Sequence, residues 1–276
     1  MLKDIAAYIP LGNPRSVIDY AVSVAETFGA HVEGMSFVYQ PVVTSMAYGA
    51  IPADVISWQR QEGERQVAAA FEQFSTAAKN AGVSFGTQSF QAVPGTAGDV
   101  FGEVARRYDM TIVGQPDPEK PNFDDVAVEG ALFGSGRPMI VVPYIHQGPI
   151  KLDRVAVCWD GSRAAARAIG DAMPILKKAK AVDIVMVTKE RAKSDDVPGA
   201  DLATHLARHN LPVELHRLSA GNMDVFYTIL SYVADAGTDF IVMGGYGHSR
   251  LREFVLGGVT RGILKSLTLP ALMSHG

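Results

Sequence analysis

A single cysteine, Cys158, stands among 276 residues. That excludes an internal disulfide framework and points to a reducing compartment, so the cytoplasm is the expected location. No uninterrupted apolar run reaches the roughly 18 residues that a membrane span needs. The first residues lack the basic-then-apolar pattern of a secretory signal. Seven histidines and one cysteine show no metal-ligand spacing, so no metal site is read from the sequence. Charge is moderate at 20%, the net charge is −4, and basic runs are missing, which argues against a nucleic-acid partner. Ser162 and Ser249 lack the G-x-S-x-G frame of a hydrolase nucleophile, and no Gly-Lys-Ser/Thr marks a Walker A loop. No catalytic constellation is found.

What is present is the composition of a globular protein, 47% hydrophobic, in a chain long enough for about two domains. The charge is divided unevenly. Residues 1–150 carry −7 and residues 151–276 carry +3. The order of segments repeats as well. Ile5–Ile9 and Val155–Cys158 read as first strands, followed by helical segments Ser16–Phe28 and Ser162–Lys178. Second strands are expected at His31–Val38 and Val182–Val187. Late buried strands, Met110–Val113 and Phe240–Met243, end at Gly114 and Gly244. Proline-initiated strands close both halves, at Pro138–Val142 and Pro270–Met273. Strands alternating with helices predict an α/β fold of doubly wound, mostly parallel sheets. His146-Gln-Gly-Pro149 is a short polar linker, which gives domains 1–146 and 151–276.

The first half also carries a long helical candidate at 51–82, with Val67, Ala70, Phe71, Phe74 and Ala78 on one face and Gly82 as its stop. Gln40–Ala50, with Tyr48, precedes it as an expected surface loop.

Late in the second half, Gly244, Gly247 and Gly257 make a G-x2-G-x9-G pattern between the apolar run Phe240–Met243 and a helical segment holding Val259, Ile263, Leu264 and Leu267. A strand, a glycine-rich loop and a helix N-terminus together make an anion cradle. Glycine lets backbone N–H groups approach phosphate oxygens, and the helix end adds partial positive charge. The first half has Pro116, Pro118 and Pro121 in the corresponding loop. Proline has no N–H to donate, and Asp117, Glu119, Asp124 and Asp125 add repulsion toward an anion. After the first strand of the second half, Asp160 reads as a helix N-cap or a ligand contact; the first half has Pro10 to Pro14 and no acid there.

The glycine spacing and its surroundings resemble the nucleotide-binding signature of the universal stress protein (UspA) family. Gly258 departs from that signature, standing where the family has Ser or Thr. The resemblance implies two Rossmann-like, adenine-nucleotide α-hydrolase-like domains in tandem, each with a five-stranded sheet. It implies an adenine nucleotide (ATP, ADP or AMP) at the carboxyl ends of the second-half strands. Asp160 would contact adenine or sugar, Val187 or Thr188 would flank the base, and Met243 would pack near ribose or base. Gly244, Gly247, Gly257, Gly258, Val259 and Thr260 would surround ribose and phosphates. The Thr260 hydroxyl would partly replace the one missing at Gly258, and His248, Arg250, Arg252 and Arg261 are basic groups on or beside the loop. Magnesium would accompany the phosphates, with Asp160 as the one carboxylate offered to it.

The family's closing strands pair antiparallel, which implies pairing within this chain and a homodimer of chains. Two other functions stay open: an interaction protein that binds no nucleotide, and a slow ATP hydrolase.

Overall fold

The computed structural model describes residues 1–12, 14–40, 53–93, 95–116, 124–188, 199–245, 264 and 266–276. These residues form two compact units. One holds Leu2–Arg137 with Tyr144–Ile150. The other holds Lys151–Gly276 with Met1 and Pro138–Pro143.

In the N-terminal unit the elements are β1 (Asp4–Tyr8), α1 (Arg15–Phe28), β2 (His31–Tyr39), α2 (Ala53–Asn80), β3 (Phe85–Ala92), α3 (Ala97–Ala105), β4 (Met110–Gly114) and α4 (Asp124–Glu129). A π-helical turn, Gly130–Gly134, continues α4. The strands are all parallel in the order β3-β2-β1-β4. β1 and β4 are near-continuous apolar runs because helices cover both faces of a parallel sheet. Val17, Ile18, Ala21, Val22 and Ala25 form the buried stripe of α1. Gly29 ends that helix in the left-handed region, at φ 59°. On α2 the stripe is Val67, Ala70, Phe74 and Ala78, all buried, whereas Phe71 is half-exposed. The expected face is one residue narrower, because Phe71 turns toward its edge. The Gln40–Ala50 loop lies outside the described residues apart from Gln40, which caps the β2 edge by donating its N–H to Ala92 O at 3.0 Å.

The C-terminal unit contains β5 (Met139–Val142), β6 (Arg154–Cys158), α5 (Arg163–Leu176), β7 (Ala181–Thr188), α6 (Ala200–Arg208), β8 (Val213–Ser219), α7 (Val225–Asp235), β9 (Phe240–Gly245) and β10 (Ala271–His275). Its strand order is β5-β10-β9-β6-β7-β8. Every pair is parallel except the outermost, where Ala271, Leu272 and Met273 run antiparallel against Val141, Ile140 and Met139. The two closing strands thus pair within one chain.

The duplication is visible bond by bond. Asp109 Oδ2 accepts the Asp4 N–H at 3.1 Å, and Asp239 Oδ2 accepts the Arg154 N–H at 3.0 Å. Ile9 N donates to Met35 O at 2.7 Å, and Trp159 N donates to Val185 O at 2.9 Å. The first strands share one pairing frame, with Asp4 beside His31 and Arg154 beside Ala181. In that frame Tyr8 corresponds to Cys158, Pro10 to Asp160 and Phe37 to Val187. The late strands pair with the first strands in the same way, Ile5 beside Met110 and Val155 beside Phe240, so Gly114 corresponds to Gly244. Among the described residues no helix is long and apolar enough to cross a membrane.

Candidate functional site at the carboxyl ends of β6, β7 and β9

Cys158 pairs with Val185, and Val157 with Val242. The carboxyl ends of β9, β6 and β7 therefore lie side by side, and they bring Met243, Gly244, Asp160, Val187 and Thr188 to one end of the sheet. Met243 is buried, Gly244, Val187 and Thr188 are half-buried, and Asp160 is exposed. Gly247, Gly257, Gly258, Val259 and Thr260 lie outside the described residues, as do His248, Arg250, Arg252 and Arg261.

Gly244 is where β9 meets the first turn of α5. A Cβ there would stand 2.5 Å from Ala165 N and 2.7 Å from the Ala164 carbonyl carbon. Helix packing thus already requires the first glycine of the motif, before any ligand is considered. Gly114, at the corresponding place, faces a side chain instead: its Cβ would stand 3.0 Å from Val17 Cγ2.

The N-terminus of α5 corrects one reading of Asp160. Ser162 is the N-cap, its Oγ accepting the Ala165 N–H at 3.1 Å. Asp160 Oδ1 accepts the Ser162 N–H at 2.9 Å, which fixes the turn that presents the cap. Asp160 is two residues before the cap, with Gly161, at φ 76°, reversing the chain between them. Only one Asp160 oxygen is committed to this turn, so a carboxylate oxygen remains for a ligand hydroxyl or amine.

Cys158 is half-buried at the end of β6. Loss of hydration, with the negative charge of Asp160 second, pushes its thiol up to about 12. A thiol held protonated in this way is no nucleophile near neutrality. Beside it, Trp159, Ile169, Met173 and Leu202 line an open groove of about 400 Å³ between α5 and α6, with His205 and His209 at its edge.

The two units differ most at this end of the sheet. Tyr8 and Phe37, which correspond to Cys158 and Val187, are fully buried with ring centroids 5.9 Å apart. Phe101 meets Tyr8 edge-on at 5.8 Å. Two aromatic rings therefore stand where the C-terminal unit has a cysteine and a half-exposed valine. Sequence reasoning missed this contrast, although the signal was present as bulky residues on the first two strands of one repeat and small ones on the other.

It also missed a polar cluster under the C-terminal sheet. Arg154 Nη1 donates to both oxygens of buried Asp183 at 2.8 Å, and Tyr232 Oη donates to Asp183 Oδ2 at 2.9 Å. His216 and Glu214 stand beside Asp183 on β8. The Tyr232 hydroxyl is pushed well above its ordinary range by burial and by the Asp183 carboxylate that accepts its proton. These residues come from three strands and a helix, so no local spacing announces them.

Residues 151–275 match the model of the Universal stress protein family. No curated protein sequence matches the chain. Among solved structures, a universal stress protein from Archaeoglobus fulgidus DSM 4304 shares the fold at TM-score 0.72 and 18% identity, covering 98% of this chain and 96% of that one. A protein of unknown function from Pseudomonas aeruginosa PAO1 is similar at TM-score 0.62 and 14% identity, covering 99% of this chain and 92% of its own. Residues 151–275 thus carry the sequence of a Universal stress protein family domain, and the chain along its length shares the fold of a solved universal stress protein.

Proposed function

We propose that this protein is a stress-response sensor or regulator that holds an adenine nucleotide in repeat 151–276 and none in repeat 1–146. The observation that carries this reading is the replacement of Tyr8 and Phe37 by Cys158 and Val187 at the same register. Where the N-terminal unit buries two rings, the C-terminal unit has smaller side chains and leaves Val187 half-exposed, which suits a planar base stacked on it. Val187 and Met243 flank the base. Asp160, anchored by the Ser162 N–H, takes a hydroxyl or amine of the nucleoside with its second oxygen. Gly244, held against α5, starts the loop, and Gly247, Gly257, Gly258, Val259 and Thr260 complete it around ribose and phosphates.

Nucleotide occupancy acts by favouring one conformation or one partner-binding state, which requires unequal affinity for the two states. The mono-, di- or triphosphate and any accompanying magnesium are set by the phosphate loop. Two chains associate as a homodimer, and the protein works in the cytoplasm. Light scattering at micromolar concentration reads the dimer directly, and monomer alone would remove that part.

The experiment for the nucleotide is a thermal shift. A ligand bound only to the folded state must stabilise it, so millimolar AMP, ADP or ATP raises the melting temperature. An unchanged melting temperature with all three would transfer the reading to an interaction protein that binds no nucleotide.

A further inference from the structure

Asp183, Glu214 and His216 converge on one point at the outer edge of the C-terminal sheet. Their ligand-capable atoms lie within 4.8 Å of one another. Asp183 and Glu214 are direct neighbours in the register of β7 and β8, and His216 is two residues along β8, on the same face. His216 Nε2 is 3.6 Å from Asp183 Oδ1 and 3.7 Å from Glu214 Oε2. The Nε2 atom is itself buried and makes no hydrogen bond. A buried ring nitrogen between two carboxylates, too far from either for a hydrogen bond, marks a place where a small cation would fit.

From these distances we propose that Asp183, Glu214 and His216 bind a divalent transition-metal ion of the zinc class. Zinc bonds of about 2.0–2.2 Å to nitrogen and oxygen place tetrahedral ligands about 3.3–3.6 Å apart, close to the 3.6 and 3.7 Å from His216 to the two carboxylates. One imidazole and two carboxylates form a borderline-hard set that suits zinc, cobalt or manganese. The surroundings supply the supports such ligands need. Arg154 and Tyr232 hydrogen-bond Asp183 and fix its orientation, and Oδ1, which also accepts from Arg154, stands 3.6 Å from His216 Nε2. Glu214 is 70% exposed, which leaves an entry path from solvent.

Arg154 limits the affinity. With its charge counted, the cluster carries one net negative charge when His216 is neutral, and a dication reverses that sign. Binding is therefore expected in the micromolar range, well short of the tightness of a buried structural zinc. The site is at the sheet edge on β7 and β8, with the carboxyl-end residues Asp160 and Val187 further along the sheet, so it does not depend on the nucleotide reading.

The test is a zinc titration by calorimetry, with cobalt absorption as a second readout, on the full untagged chain. His205 and His209 form a second imidazole pair on α6, with ring centroids 4.9 Å apart, so the titration is repeated in H205A/H209A. The expected result is one equivalent of zinc in both proteins, with affinity at least tenfold weaker in Glu214→Gln and in His216→Gln. Glu214→Gln is the decisive variant because the exposed side chain is not needed for folding. Val187→Phe is expected to leave zinc binding unchanged, which separates this result from any failure of the nucleotide reading. No binding up to about 100 micromolar zinc, on the order of a hundredfold above a micromolar dissociation constant, equal binding in Glu214→Gln, or loss of binding in H205A/H209A would each overturn the proposal.

Discussion

The rings of Tyr8 and Phe37 pack 5.9 Å apart at the end of the N-terminal sheet, at the places that Cys158 and Val187 hold in the C-terminal unit. Removing such a ring leaves a cavity that the rigid parallel sheet cannot close. Phe37→Ala should cost about 3–5 kcal/mol. Val187→Ala should cost about 1 kcal/mol or less, since Val187 is half-exposed. Urea unfolding of the two variants checks the contrast, and equal losses would remove the distinction between a filled end and an open one.

Two glycines of the C-terminal unit should respond to alanine with opposite signs. Gly244→Ala forces Cβ into the backbone of Ala164 and Ala165 and should destabilise by about 1–3 kcal/mol. Gly170, inside α5, has open space where a Cβ would stand, with nothing within 4 Å, so Gly170→Ala should stabilise by about 0.5–1 kcal/mol. Paired denaturation curves are the measurement, and a stabilising Gly244→Ala would show that α5 does not press on β9.

The turn into α5 separates capping from ligand contact. Ser162→Ala loses the Ala165 hydrogen bond and should cost about 1 kcal/mol. Asp160→Asn keeps an oxygen for the Ser162 N–H and should leave the melting temperature nearly unchanged, whereas Asp160→Ala loses that bond. If nucleotide affinity falls in Asp160→Asn while stability holds, the carboxylate contributes to the ligand as well as to the turn. Equal affinity in wild type and both variants would confine Asp160 to the turn.

The raised thiol of Cys158 makes a sharp expectation for pH. In the folded chain it titrates at about 12 against an ordinary 9.0. At pH 8 only on the order of one thiol in ten thousand is ionised, so alkylation should wait for unfolding. The sign of the stability effect follows from linkage. The unfolded chain loses this proton first, so the contribution is complete below pH 9 and is lost as pH rises toward 12. Alkylation rates in native buffer and in urea test this, and rapid native labelling at pH 8 would contradict it.

The repeated order of strands and helices was legible because each element carries a local signal. Runs such as Met110–Val113 and Phe240–Met243 are mostly apolar and buried on both faces, and Gly114 and Gly244 punctuate their ends. The antiparallel pairing of Met139–Val142 with Ala271–Met273 followed from the family resemblance. Asp160 was legible as a residue at the head of α5, but its exact station was not, since Gly161 and Ser162 decide it through one positive φ and one hydroxyl. The Tyr8–Phe37–Phe101 packing and the Asp183 cluster were not legible, because each joins residues from elements far apart in the chain. A period of two or 3.6 residues reports which face is buried, and says nothing of which neighbour waits there.

The most direct test is calorimetric titration of AMP, ADP and ATP into the wild-type chain and into Val187→Phe. The variant places in the C-terminal unit the ring that Phe37 places in the N-terminal one, at a half-exposed position where the fold should tolerate it. Nucleotide should bind the wild type and not Val187→Phe, with similar melting temperatures for the two ligand-free proteins. Absence of binding to the wild type, or undiminished binding to Val187→Phe, would contradict it.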